Sequence, residues 1–194
     1  MSDIAAIVLA AGRATRFGGG KMAAPWRGKA LVRHVAGAAL AAGLETVVVT
    51  GHAREEVETA LAGLDLRLVH NPAFADGMAG SLRCAIAALP QATSAAFVLL
   101  GDMPQISPAL LRAMLAAWRA APEETVALVP AHAGARGNPV LLGQALFVPL
   151  RRLSGDQGAR KLLANLPGVE EFETDDPAIF ADIDTPAALR ALEA

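Results

Sequence analysis

What most constrains this chain is an alternation: apolar runs of strand length are separated, from one end to the other, by longer alanine-rich stretches with one polar face. That pattern builds βα units around a mostly parallel sheet. Strands are expected at Ile4 to Leu9, Thr46 to Thr50, Leu66 to Val69, Ala95 to Leu100 and Thr125 to Val129, with shorter ones near Asn138 to Leu142 and Val169 to Phe172. The first, fourth and fifth are continuously apolar and are expected at the centre of the sheet. Helices are expected near Ala30 to Ala42, Glu55 to Ala62, Gly80 to Leu89, Pro108 to Ala120, Gly143 to Leu150, Gly158 to Asn165 and Pro186 to Leu192. Ser107-Pro108 and Thr185-Pro186 each put a hydroxyl cap before a proline at the first helical position. The expected architecture is α/β: a three-layer, Rossmann-like, mostly parallel sheet with helices on both faces and one antiparallel addition in the C-terminal half. A single domain over residues 1–194 is expected.

Composition removes several classes of function. Cys84 is the only cysteine, which excludes an internal disulfide and a cysteine-based zinc cluster. A net charge of −2 gives no general attraction to nucleic acid or an anionic membrane, and 4% aromatics leave no stacking platform for single strands. No apolar run approaches the roughly 20 residues that span a bilayer, and the N-terminus shows no basic leader. Neither nucleic acid nor membrane is expected as a partner, and the expected location is cytoplasmic. His34, His52, His70 and His132 show no metal-ligand spacing, Cys84 sits among apolar helix residues, and no serine lies in a GxSxG elbow.

Ligands of open α/β sheets bind beyond the carboxyl ends of the strands. After the first strand comes Leu9-Ala10-Ala11-Gly12-Arg13-Ala14-Thr15-Arg16-Phe17-Gly18-Gly19-Gly20-Lys21. Small residues let backbone N–H groups converge on an anion, and Arg16 and Lys21 add charge suited to a triphosphate. Lys21 is one of three lysines in a chain that otherwise uses arginine. The segment is neither a P-loop, since Thr15 takes a glycine position and Met22 follows the lysine, nor a GxGxxG dinucleotide loop. A flexible surface loop with incidental arginines is the competing reading.

Two acidic positions draw attention. Asp102 in Leu99-Leu100-Gly101-Asp102-Met103-Pro104 stands at the end of a buried strand, where a carboxylate suits Mg²⁺ or simply begins a turn. In Asp182-Ile183-Asp184-Thr185-Pro186, strand alternation would put both aspartates on one face, and Asp184 is either a second metal ligand or a helix-cap carboxylate. A third cluster, Asn71-Pro72, Gly77-Met78 and Ser81-Leu82, reads as a turn and helix start. There Gly77 would allow close approach, and Ser81 could donate to a base or ribose.

These motifs, spread over nearly the whole chain, resemble those of the MobA-like nucleotidyltransferases. That group includes molybdenum cofactor cytidylyltransferases and guanylyltransferases, and sugar- and polyol-phosphate enzymes. Leu9-Ala10-Ala11-Gly12, Arg16, Gly18 and Lys21 match LAAGxxxRxGxxK, and the third cluster matches NPxxxxGMxxSL. The resemblance implies nucleotide binding by Leu9, Ala10, Ala11, Gly12, Lys21, Gly77, Met78 and Ser81. It implies catalytic roles for Arg16, Lys21 and Asp102, with Mg²⁺, or Mn²⁺ as an alternative, held by Asp102 and Asp184. Arg136-Gly137-Asn138-Pro139-Val140 and Ser154-Gly155-Asp156-Gln157-Gly158-Ala159-Arg160 continue it, placing Asn138, Asp156 and Arg160 on the acceptor side. For Arg160 and Lys161 a solvated helix start remains the alternative. The Ala10-Ala11 pair and Gly101 resemble the CTP-using members, so CTP, a molybdopterin-type acceptor and a recipient molybdoenzyme are the implied partners. The rival expectations are a guanylyltransferase, an enzyme for another phosphorylated acceptor, or a non-catalytic cofactor carrier. Gly20 and Ala30, where the family commonly has proline, and Met22, where it usually has leucine, are departures.

Overall fold

A computed structural model describes residues 3–155 and 158–192. The chain opens with β1 (Ile4–Ala10), followed by the glycine-rich loop, a 3₁₀ turn (Lys21–Ala23) and a small hairpin of β2 (Pro25–Trp26) and β3 (Lys29–Ala30). Next come α1 (Leu31–Ala41), β4 (Glu45–Thr50), α2 (Arg54–Leu61), β5 (Arg67–His70), a 3₁₀ turn (Phe74–Asp76), α3 (Met78–Ala88), β6 (Ala95–Leu100) and α4 (Pro108–Ala120). The last third holds β7 (Ala127–His132), β8 (Ala135–Arg136), β9 (Val140–Gly143), α5 (Phe147–Arg151), α6 (Ala159–Leu163), β10 (Val169–Glu173) and α7 (Pro186–Ala191).

The main sheet runs β10-β7-β9-β6-β1-β4-β5, with β8 paired to β7. β9 is antiparallel to both neighbours, and β8 closes a short antiparallel hairpin. The other pairs are parallel, so the three-layer, mostly parallel architecture with an antiparallel addition is present. Alternation along the strands makes the two outer layers. Ile4, Ala6, Val8 and Ala10 of β1 face one apolar cluster with α1 and α4, while Ile7 and Leu9 face another with α3, α5 and α6. Because successive side chains leave opposite faces of a strand, a run apolar at every position is buried on both.

The expected placement of the fifth strand needs correction. β7 lies second from the edge, because β9 inserts between it and β6 and takes the inner place instead. β7 is apolar from Ala127 to Ala131 because helices cover it on both faces even there. It also extends past Val129 through Pro130, which lies beyond the end of the β9 ladder at Leu128 and so breaks none of it. The stretch from Asp182 to Asp184 is not a strand. Among the described residues, no helix is long and apolar enough to cross a membrane.

The register positions the site. Leu9 stands level with Val49 on one side and Leu100 on the other, so the loops after β1, β4 and β6 leave the sheet together. The Gly101 N–H donates to the Leu9 carbonyl at 3.0 Å. A Cβ on Gly101 would stand 2.9 Å from Met22 Sδ and 3.0 Å from that carbonyl oxygen, so a side chain there would have to displace both.

Candidate active site

The loop after β1 curls back on itself. Phe17 and Gly19 N–H donate to the Ala14 carbonyl and Gly18 N–H to that of Thr15. Among the described residues no hydrogen bond engages the backbone N–H groups of Gly12 through Arg16, which leaves a run of donors at the mouth of a cavity. That cavity holds about 500 Å³ and is lined by Leu9, Ala11, Gly12, Lys21, Gly77, Met78, Ser81 and Asp102, among others. Eight of the expected site residues therefore surround one space. Ala10 is buried beneath it. Gly77 has φ 102° and ends the 3₁₀ turn before α3, a conformation that a side chain disfavours.

Charge converges on the floor of this cavity. Lys21 is 7% exposed, and its Nζ lies 2.5 Å from Asp102 Oδ2 and 3.2 Å from Asp184 Oδ1. Burial opposes the ammonium charge, but the Asp102 carboxylate and then Asp184 outweigh it, raising the lysine above its ordinary pKa. Arg16 reaches Asp184 Oδ2 at 3.3 Å from a largely solvent-exposed position. Asp184 is brought in by one backbone bond, the Ile183 N–H to the Asp102 carbonyl at 3.0 Å, while Ile183 itself is buried beside Trp26 and Leu31. Asp182, expected on the same face, is exposed and joins no contact with the group.

Asp102 Oδ1 is buried with no partner. A buried carboxylate oxygen without a donor is costly, and a cation is the partner that suits it. Among the described residues no cluster of three His, Cys, Asp or Glu side chains forms. Two carboxylates with room for phosphate oxygens and water is nonetheless the donor set that Mg²⁺ and similar ions favour, so the residues fit the metal.

Asn138 and Arg160, expected on the acceptor side, line a separate cavity of about 240 Å³ with Arg136 and Val140. Asn138 is anchored by its N–H to the Ile179 carbonyl at 2.9 Å, and the Arg160 guanidinium donates to the Arg136 carbonyl at 2.5 Å. Asp156 lies outside the described residues. Gly155 meets the start of α3, where the Ala79 N–H donates to its carbonyl at 3.1 Å. Arg13, Met22 and Phe74 also line the cavity, and none of them was among the expected site residues. Phe74 projects from its 3₁₀ turn with Arg13 5.8 Å over its ring and His52 beside it, and Met22 packs against the loop at Gly101. A lone aromatic in a loop gave no local signal of this. The remaining histidines make structural contacts, such as His34 Nε2 to the Trp26 carbonyl at 2.8 Å.

A glycine-rich loop with unengaged N–H groups, paired carboxylates and a buried lysine thus gather beyond the C-terminal edge of a three-layer sheet. The chain belongs to the MobA-like NTP transferase family, whose domain matches residues 6–175. It is 28% identical over 187 residues to the molybdenum cofactor cytidylyltransferase of Escherichia coli, covering 96% of this chain and 93% of that protein. It is 30% identical to the purine catabolism protein PucB of Bacillus subtilis, covering 93% and 91%. The crystal structure of Rv0371c from Mycobacterium tuberculosis superposes with a TM-score of 0.85 at 31% identity, covering 98% of each chain. That protein is also known in complex with manganese.

Proposed function

We propose that this nucleotidyltransferase transfers CMP from CTP to the phosphate of a molybdopterin-type acceptor and releases pyrophosphate. The observation that carries the reading is Lys21 Nζ set between Asp102 and Asp184 on the floor of the loop cavity. The free N–H groups of Gly12 through Arg16 would receive the β- and γ-phosphates, with Arg16 closing over them. Lys21 would neutralise charge at the α-phosphate, aligning it for attack by an acceptor phosphate oxygen arriving from the side of Asn138 and Arg160. The P–O bond to pyrophosphate breaks as the new one forms, with no protein nucleophile. Asp102 and Asp184 would hold Mg²⁺ or Mn²⁺, which supplies a compensating charge for the triphosphate. Reactions of this kind are accelerated by positioning and charge neutralisation rather than by covalent chemistry.

CTP as donor is supported by the Ala10-Ala11 pair and by the cytidylyltransferase relative. The guanylyltransferase reading has its own support, 36% identity to the Xanthomonas euvesicatoria molybdenum cofactor guanylyltransferase over 57% of this chain and 52% of that protein. Pyrophosphate release measured with each of the four triphosphates, with and without molybdopterin, tests the choice. Acceptor-dependent release with CTP is expected. Release with GTP alone would select the guanylyl reading, and tight acceptor binding without release would select a carrier.

A further inference from the structure

Asn71 is 2% exposed and lies directly after β5. Its Oδ1 accepts the Ala73 N–H at 3.1 Å, and its Nδ2 donates to Ser81 Oγ at 3.0 Å. The first bond fixes the sense of the second: a backbone N–H can only donate, so it identifies the amide oxygen and turns the NH₂ group toward Ser81. The backbone of Asn71 is itself anchored, its N–H donating to the Thr50 carbonyl at 2.9 Å. A Cβ on Gly80 would stand 3.3 Å from Nδ2, so the adjoining turn of α3 leaves little room for the amide to move.

A serine hydroxyl has one proton to donate and two lone pairs to accept with. Asn71 occupies one lone pair, and among the described residues no protein acceptor takes the proton. Ser81 is 4% exposed and lines the nucleotide cavity with Leu9, Gly77 and Leu100, so the proton is available to whatever fills that space. Had residue 71 offered only an acceptor, the proton would be spent on it and the cavity would meet a lone pair instead.

We infer that Asn71 is a positioning residue that holds Ser81 as a hydrogen-bond donor toward the base of the bound triphosphate, selecting a base with an acceptor at that point. Cytosine has such acceptors in O2 and N3. The inference rests on the nucleotidyltransferase reading above and deepens it, because it assigns a base-selecting role to a residue that never touches the base.

The test measures binding of Mg·CTP and of Mg·tripolyphosphate, which lacks a base, to the whole chain as wild type, Asn71→Ala, Ser81→Ala and the double variant. Each single substitution is expected to weaken CTP about tenfold, the loss of one well-placed hydrogen bond. The double variant is expected to lose no more than either, and tripolyphosphate binding is expected to stay unchanged. If Asn71→Ala fails to fold, Asn71→Asp keeps the acceptor for Ala73; as its carboxyl ionises from mildly acidic to mildly alkaline pH, CTP affinity should fall relative to tripolyphosphate. Wild-type CTP affinity in Asn71→Ala, additive losses in the double variant, equal losses for both ligands, or a flat ratio with pH in Asn71→Asp would each overturn the inference alone. A wild-type chain that binds neither ligand would overturn the proposed function with it.

Discussion

Lys21 Nζ and Asp102 Oδ2, 81 positions apart in the chain, meet at 2.5 Å with both side chains largely out of solvent. The contact joins the end of the loop after β1 to the end of β6, so the group that would neutralise phosphate and the group that would hold metal are fixed by one another.

Replacing Lys21 by alanine is expected to lower turnover with CTP about a hundred- to a thousandfold, the usual cost of one transition-state charge contact. From sequence, the same change is expected to leave stability nearly untouched. Burial revises that expectation. Removing one partner of a buried pair strands the other, so a loss on the order of 2–4 kcal/mol is expected, less where solvent reaches Asp184. Denaturant unfolding measures it, and added Mg²⁺ should restore part of the loss by replacing the missing charge.

Asp102→Asn preserves shape and removes charge. Pyrophosphate release should fall about a hundred- to a thousandfold, and the unfolding midpoint should fall by less than in the Lys21 variant, since Lys21 retains Asp184. Steady-state rates with excess Mg²⁺ check this, and wild-type turnover would remove Asp102 from the reaction.

The pH dependence of stability has a definite sign. Because the folded pKa of Lys21 lies above its ordinary value, its contribution is fully present below that ordinary value and is lost as pH rises through the folded one. Asp3 has the opposite sign. Its hydrogen bond from Ser94 lowers its pKa, so its small contribution is lost only as pH falls through that lowered value. Urea titrations of wild type and Lys21→Met should run parallel near neutrality and converge in strong alkali.

Gly101→Ala is expected to destabilise by about 1–3 kcal/mol, as overpacking does, because its Cβ meets Met22 Sδ and the Leu9 carbonyl. It should also weaken Mg²⁺ binding by displacing Asp102. A calorimetric titration compared with thermal unfolding separates the two effects.

The parts of the fold and site visible in the sequence are those whose causes are local. The continuous apolarity of β1 and β6 marked strands buried on both faces, and the residues just past their ends, Gly12 to Lys21 and Asp102, stand where such sheets bind ligands. Ser107 and Thr185 announced two helix starts and do cap them, accepting from Leu110 and Ala188 N–H. What remained hidden depends on pairings distant in the chain. Nothing near residue 140 says that β9 will insert beside β6, and nothing near Asp184 says that Ile183 will bond Asp102. Asn71 was legible as part of a turn, yet its bond to Ser81 exists only once α3 folds against β5.

CMP transfer at the Lys21, Asp102 and Asp184 site is read directly from the mass of the acceptor after incubation with the chain, CTP and Mg²⁺. A molybdopterin heavier by one CMP is expected with wild type, and an unchanged one with Asp102→Asn. An unmodified acceptor with wild type, or the same CMP adduct formed equally fast by Asp102→Asn, would contradict it.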